Sequence, residues 1–204
     1  MTVLEYRAIV RERTVMSGRS GVEAWLPLPI VTPRLVVRRF RPADDLAAFQ
    51  AYRHDSLVAR YQGWTAAPDA EALAFLVEQS VPRRPRRGHW VQLAVATRDG
   101  DGLAGDVAVR WPARGSDEAE IGYTVARPWH GRGFATEAVG ALCAALLRHP
   151  GVRSVVAITD TRNAASVALL RRLGFRLEGT QQVTFQGEPC EEHRFVLDAG
   201  GRAR

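Results

Sequence analysis

The spacing of apolar and polar positions changes several times along the chain, and each change marks an element. Leu35, Val37 and, less cleanly, Arg39 alternate with Val36 and Arg38, which predicts an edge strand with its arginines facing water. Pro42-Ala43-Asp44-Asp45 opens a helix, since proline and acids suit a first turn, and Leu46, Phe49 and Tyr52 follow at core-facing spacing. A short helix from Pro68 to Gln79 carries Ala72, Phe75 and Leu76. Strands Trp90–Thr97 and Leu103–Trp111 flank Asp99-Gly100-Asp101-Gly102, a hairpin turn, and Ala119–Val125 completes an antiparallel meander. A helix then runs to about Arg148 with Val139, Leu142, Cys143, Leu146 and Leu147 on one face, and Pro150-Gly151 stops it. Ser154–Thr159 is a β-branched strand, Ala164–Leu173 a helix ended by Gly174, and Phe175–Thr184 with Glu191–Leu197 a closing hairpin. The order β-α-α-β-β-β-α-β-α-β-β predicts an α/β (α+β) fold. Its sheet is mixed, strongly twisted and mostly antiparallel, flanked by helices, with one parallel crossover.

The 204 residues suit one domain, assigned to 32–198, behind a weakly structured leader at 1–31 and before a short tail at 199–204. No apolar run reaches the ~20 residues of a membrane span, and charges break up the N-terminal region, so no secretory signal is read there and a cytoplasmic protein is expected. The net charge is +6, and all 28 basic residues are arginine. Without lysine, a Walker-type phosphate loop, a pyridoxal Schiff base and a protein kinase site are excluded. Cys143 and Cys190 have no metal-ligand spacing and the five histidines are scattered, so no metal is expected.

The chemistry concentrates where the third meander strand meets the helix. Gly131 and Gly133, with Ala135, precede that helix directly, so main-chain N–H groups can turn toward one anion while the helix end adds roughly half a positive charge. Arg132 can add a charged contact. The bland alternative is a tight turn that needs small residues for packing. A dinucleotide fold is rejected: Asp160 lies where a ribose-binding acid would sit, but the chain has one crossover where that fold needs several.

Over about Thr32 to Leu197 these residues resemble the GCN5-related N-acetyltransferase (GNAT) superfamily. The loop His130-Gly131-Arg132-Gly133-Phe134-Ala135 is similar to its acyl-CoA motif, Glu120-Ile121-Gly122-Tyr123-Thr124-Val125 to the strand before it, and Asn163 through Ser166 and Leu170 to Gly174-Phe175 to its second motif. Thr32-x-Arg34-Leu35 and Gly131 to Ala138 are most similar to the RimJ/RimL branch, which acetylates ribosomal-protein N-termini.

The resemblance implies direct acetyl transfer from acetyl-CoA in a ternary complex. The cofactor would lie between strands Ala119–Val125 and Ser154–Thr159, its pantetheine pairing with main chain at Thr124 and Val125 and its diphosphate on residues His130 to Thr136, including Phe134 and Thr136. Glu120 is the candidate base for an amine that is mostly protonated at neutral pH, acting through water; its alternative is a solvated acid paired with an arginine. Asp106 and Glu118 are lesser candidates. Family members often supply a tyrosine, to protonate the leaving thiolate, where this chain has Leu170, which leaves Ser166 as replacement acid or as a cap. Asn163 reads as an N-cap, a pantetheine contact or both, and Glu137 as a first-turn dipole residue. Acids at Asp117, Glu118, Glu120, Glu188, Glu191 and Glu192 would draw a cationic acceptor, whether a peptide N-terminus, an aminoglycoside or a polyamine. A nucleic-acid-binding module built on Arg83–Arg87 ranks lower, because no aromatics interleave those arginines. Partners beyond the acceptor amount to a monomer or homodimer, away from any membrane.

Overall fold

The computed structural model describes residues 25–64, 66–81 and 85–200. Its eight strands are β1 (Ile30–Val31), β2 (Leu35–Arg38), β3 (Trp90–Thr97), β4 (Leu103–Arg110), β5 (Glu118–Val125), β6 (Ser154–Asp160), β7 (Arg176–Phe185) and β8 (Glu188–Asp198). They form one sheet in the order β1-β2-β3-β4-β5-β6-β8-β7. Among the described residues only β5 and β6 pair in parallel, and the other neighbours are antiparallel. The predicted helices are present as α1 (Pro42–Arg53), α3 (Asp69–Ser80), α4 (Phe134–Leu147) and α5 (Ala164–Arg172). A one-turn helix, α2 (Ser56–Ala59), is added where Asp55 caps the chain by accepting from the Leu57 N–H.

The two sheet faces bury separate cores. One packs Val139, Leu142, Cys143 and Leu146 of α4, with Leu169 and Leu170 of α5, onto Leu93, Val107, Ile121 and Phe195. The other seats Phe49 and Tyr52 of α1 and Leu76 of α3 over Phe40 and Ala94. The described part of the expected leader belongs to the first core. Trp25 and Leu26 are buried, Trp25 meets Trp111 edge-on with ring centroids 5.5 Å apart, and β1 pairs with β2. Residues 1–24 and 201–204, and with them most of the expected leader and tail, lie outside the described residues, as do 82–84 of the arginine-rich run.

Two expectations about charge are corrected. Strand β2 is not the edge, since β1 covers it, and Arg38 is buried rather than turned to water. Its guanidinium grips both Asp45 carboxylate oxygens, at 2.8 and 2.9 Å, because α1 carries that acid down over the strand. Asp106 is likewise buried beneath α1 and does not face a catalytic cleft. It accepts from the Tyr52 hydroxyl at 2.5 Å and the Gln92 amide at 2.6 Å, with Arg53 3.7 Å away. Burial pushes its carboxyl upward against the pull of Arg53 and the two hydrogen bonds. Asp106→Ala leaves a buried guanidinium uncompensated and should cost about 3–5 kcal/mol in urea unfolding.

The feature that positions the site is a parting of two strands. Strand β5 pairs with β6 from Glu118–Ser154 only as far as Ile121–Ala157. On their outer sides β5 continues along β4 to Val125, and β6 along β8 to Asp160. Beyond Ile121 the two strands therefore splay, leaving a strand edge open inside the sheet.

Candidate active site

Beside this gap lies a cleft of about 890 Å³, floored by β5 and walled by the turn into α4, by α5 and by the α2 region. Of the residues expected at the site, Thr124, Val125, His130, Gly131, Gly133, Phe134, Ala135, Thr136, Asn163 and Ser166 all line it. Residues spread over more than forty positions of sequence converge here because the crossover through α4 returns the chain to the strand beside β5.

The loop has the form the sequence demands. Gly131 and Gly133 have φ of 72° and 76°, the left-handed region that side chains with a Cβ disfavour. The Glu137 N–H bonds Gly133 C=O at 3.0 Å, so the N–H groups of Phe134, Ala135 and Thr136 precede the helix's own ladder and have no partner within it. Among the described residues no side chain caps this end of α4. Free amides and a helix terminus facing a cleft suit a diphosphate, so the residues fit the cofactor implied by the motif.

Side-chain roles differ in part from the expectations. His130 Nε2 meets the Val125 carbonyl at 2.7 Å and so pins the loop to the strand. Arg132 lies over Trp129, 5.0 Å from its centroid, and does not line the cleft. Trp129 also stacks on Phe134 at 5.1 Å, so the turn is braced by its own aromatics. The cations on the cleft wall are Arg34, from the turn before β2, and Arg172, whose Nη1 donates to the Thr136 hydroxyl at 3.2 Å. Thr124 is buried and its carbonyl lies hard against Gly105 of β4. The Ala126 N–H likewise bonds Ala104. Main-chain groups alternate along a strand, so the open edge belongs to Tyr123 and Val125.

Asn163 caps α5 by accepting from the Ser166 N–H at 3.1 Å, and it also lines the cleft. The Ser166 hydroxyl lies 2.7 Å from the phenol of Tyr123, a partner the sequence reading missed. Burial pushes the Tyr123 phenol up to about 12, with the Ser166 hydrogen bond working against it. Leu170, at the helix position where the resemblance implies a tyrosine, is fully buried in the core. Here a phenol reaches Ser166 from strand β5 instead. Strand alternation placed Tyr123 on the face opposite Glu120, which was legible; the helix it would meet was not.

Through the splay, a smaller crevice of about 110 Å³ shares Tyr123, Asn163 and Ser166 with the cleft and adds Gly122, Ile158, Asp160, Phe185 and Glu192. Arg162 engages Asp160 at 2.6 Å and holds that carboxyl below its ordinary value. Glu120 is not in either space. It lines a separate crevice of about 210 Å³ with Arg110, Glu118, Ile158 and Arg194, and Arg110 ion-pairs it at 3.3 Å. Ile158 borders both crevices.

The Acetyltransferase (GNAT) domain family matches residues 34–176, an interval that contains the loop, the splayed strands and α5. This chain belongs to the GNAT acetyltransferases. The uncharacterized N-acetyltransferase YoaA of Bacillus subtilis is 30% identical over 170 residues, covering 81% of this chain and 94% of that protein. A GNAT-family acetyltransferase structure from Bacillus anthracis superposes with a TM-score of 0.75 at 19% identity, over 85% of this chain and all of that one (100%). RimL, a ribosomal L7/L12 α-N-protein acetyltransferase solved with coenzyme A, gives 0.69 at 18% identity, over 84% and 97%. This acetyltransferase is thus a GNAT enzyme in family and fold, with the RimL-like branch among its structural neighbours. Among the described residues no helix is long and apolar enough to cross a membrane.

Proposed function

We propose that this acetyltransferase moves acetyl from acetyl-CoA to a primary amine, on a protein N-terminus or a small molecule, by direct attack within a ternary complex. The observation that carries the reading is the open edge of β5 beside the unpaired amides of α4. When bound, acetyl-CoA supplies an activated acetyl thioester. Residues 131–136 hold the diphosphate through main-chain amides, and Tyr123 and Val125 align the pantetheine arm as an added strand. The same edge, whose Val125 and Tyr123 carbonyls meet His130 and Gln62, offers an N–H to the thioester carbonyl, where negative charge develops. Ser166, backed by Tyr123, hydrogen-bonds the departing sulfur, and the Asn163 amide steadies the arm.

On the far side of the splay, Glu192 gives the small crevice an acid that draws a protonated amine, beside an Asp160 already paired with Arg162. Glu120 takes the amine's proton through water: it stands two residues from Gly122 on the same strand face, about 7 Å along β5. Glu192, which lines the crevice beside Ser166, favours a second assignment of the base. Comparing Glu120→Gln with Glu192→Gln decides between them. The variant lacking the base loses about 100-fold in turnover, most severely below the amine's pKa, and the other keeps a wild-type pH profile.

The reading is tested by thiol release from acetyl-CoA across a panel of peptide N-termini, aminoglycosides and polyamines. Amine-dependent release that saturates in acetyl-CoA supports it. RNA binding with a steep salt dependence and no thiol release would instead favour a module working through its basic surface.

A further inference from the structure

The acid Glu137 sits in the first turn of α4 and lines the cleft that the amides of that turn face. A carboxylate there, left to itself, has a natural partner in the unpaired N–H groups one turn back, and it places a negative charge beside a ligand with three phosphates. It does neither unopposed. Its Oε1 accepts from the Thr32 hydroxyl at 2.6 Å and the Arg34 N–H at 2.8 Å, and its Oε2 accepts from the Arg34 guanidinium at 2.6 Å. Arg34 then spends Nη1 on the Arg132 carbonyl at 2.8 Å and lies across the Phe134 ring, 4.8 Å from its centroid.

We infer that Arg34 is a positioning residue for the cofactor: from the turn before β2 it neutralises and draws aside Glu137, keeping the loop amides open to phosphate. The inference rests on the diphosphate reading above. Bonds from Thr32 and Arg34, in a turn more than 100 residues away, engage both Glu137 oxygens and hold its carboxyl below its ordinary value despite partial burial. The bond from Arg34 to the Arg132 carbonyl ties the same guanidinium to the loop whose shape matters. A residue that acted only by touching phosphate would give a loss additive with the effect of Glu137→Gln alone, whereas one that acts by restraining Glu137 would not, and this distinguishes the two roles.

The test is CoA binding by calorimetry, with pantetheine, which carries no phosphate, as competitor. Arg34→Gln should weaken CoA about tenfold or more and leave pantetheine unchanged, since an uncompensated carboxylate repels the phosphates and pantetheine has none. Arg34→Gln/Glu137→Gln should recover to within about threefold of wild type, because the liberated carboxylate is gone. A double variant as weak as Arg34→Gln overturns the inference and makes Arg34 a direct phosphate contact. Loss of pantetheine binding in step with CoA also overturns it, as a general loosening of the fold. If wild type itself fails to prefer CoA over pantetheine, the diphosphate reading falls first.

Discussion

Gly133→Glu is expected to weaken CoA binding by 100-fold or more, to the point where calorimetry detects none (about 3 kcal/mol or above). Two effects act together. Residue 133 holds φ at 76°, where a side chain costs roughly 1–2 kcal/mol, and an added Cβ would stand 3.4 Å from an Arg34 nitrogen. The carboxylate then faces the ligand's phosphates, and two like charges about 6 Å apart at an effective dielectric of ~20 repel by roughly 3 kcal/mol. Gly133→Ala separates the two, because it carries the strain without the charge. Alanine should lower thermal stability while retaining most of the affinity that glutamate destroys. Equal affinity for CoA in wild type and Gly133→Glu would remove the loop from the binding site.

The second large effect concerns turnover. Ser166→Ala and Tyr123→Phe should each lower kcat by about 10- to 100-fold while leaving CoA affinity within about threefold, and the double variant should be little worse than either single one. The pair shares one hydrogen bond, at 2.7 Å, so either truncation breaks the same donor chain. The phenol's elevated value of about 12 adds a further expectation. Tyr123 stays protonated through the usable pH range, so the wild-type profile shows no decline between about pH 7 and 10 assignable to loss of this donor. Fully additive losses in the double variant would mean that serine and tyrosine act separately.

Local pattern carried much of this site. Helix α4 was legible because its apolar stripe holds over two turns and Pro150-Gly151 stops it, and the hairpin between β3 and β4 because Asp99 to Gly102 can do little else than turn. The loop was legible because two glycines abutting a helix have a physical use. Contacts between distant segments were not. Nothing local distinguishes Arg38, buried on Asp45, from Arg39 beside it. Trp25 and Leu26 sit in a stretch too short for periodicity, yet they fill the first core. The Arg34–Glu137 pair joins a turn and a helix start that share no motif spacing. Arg132, chosen for its place in the loop, lies over the Trp129 ring, a contact that no motif spacing announces. Glu120 obeyed strand alternation, but Arg110, directly across on β4, claims its carboxylate.

The whole account depends on where coenzyme A sits, and a crystal structure of the complex measures that most directly. Diphosphate oxygens within about 3 Å of the amides of Phe134, Ala135 or Thr136, with the pantetheine running along Val125 and Tyr123, are the predicted result. A nucleotide bound outside the gap between β5 and β6, with those amides untouched, would contradict it.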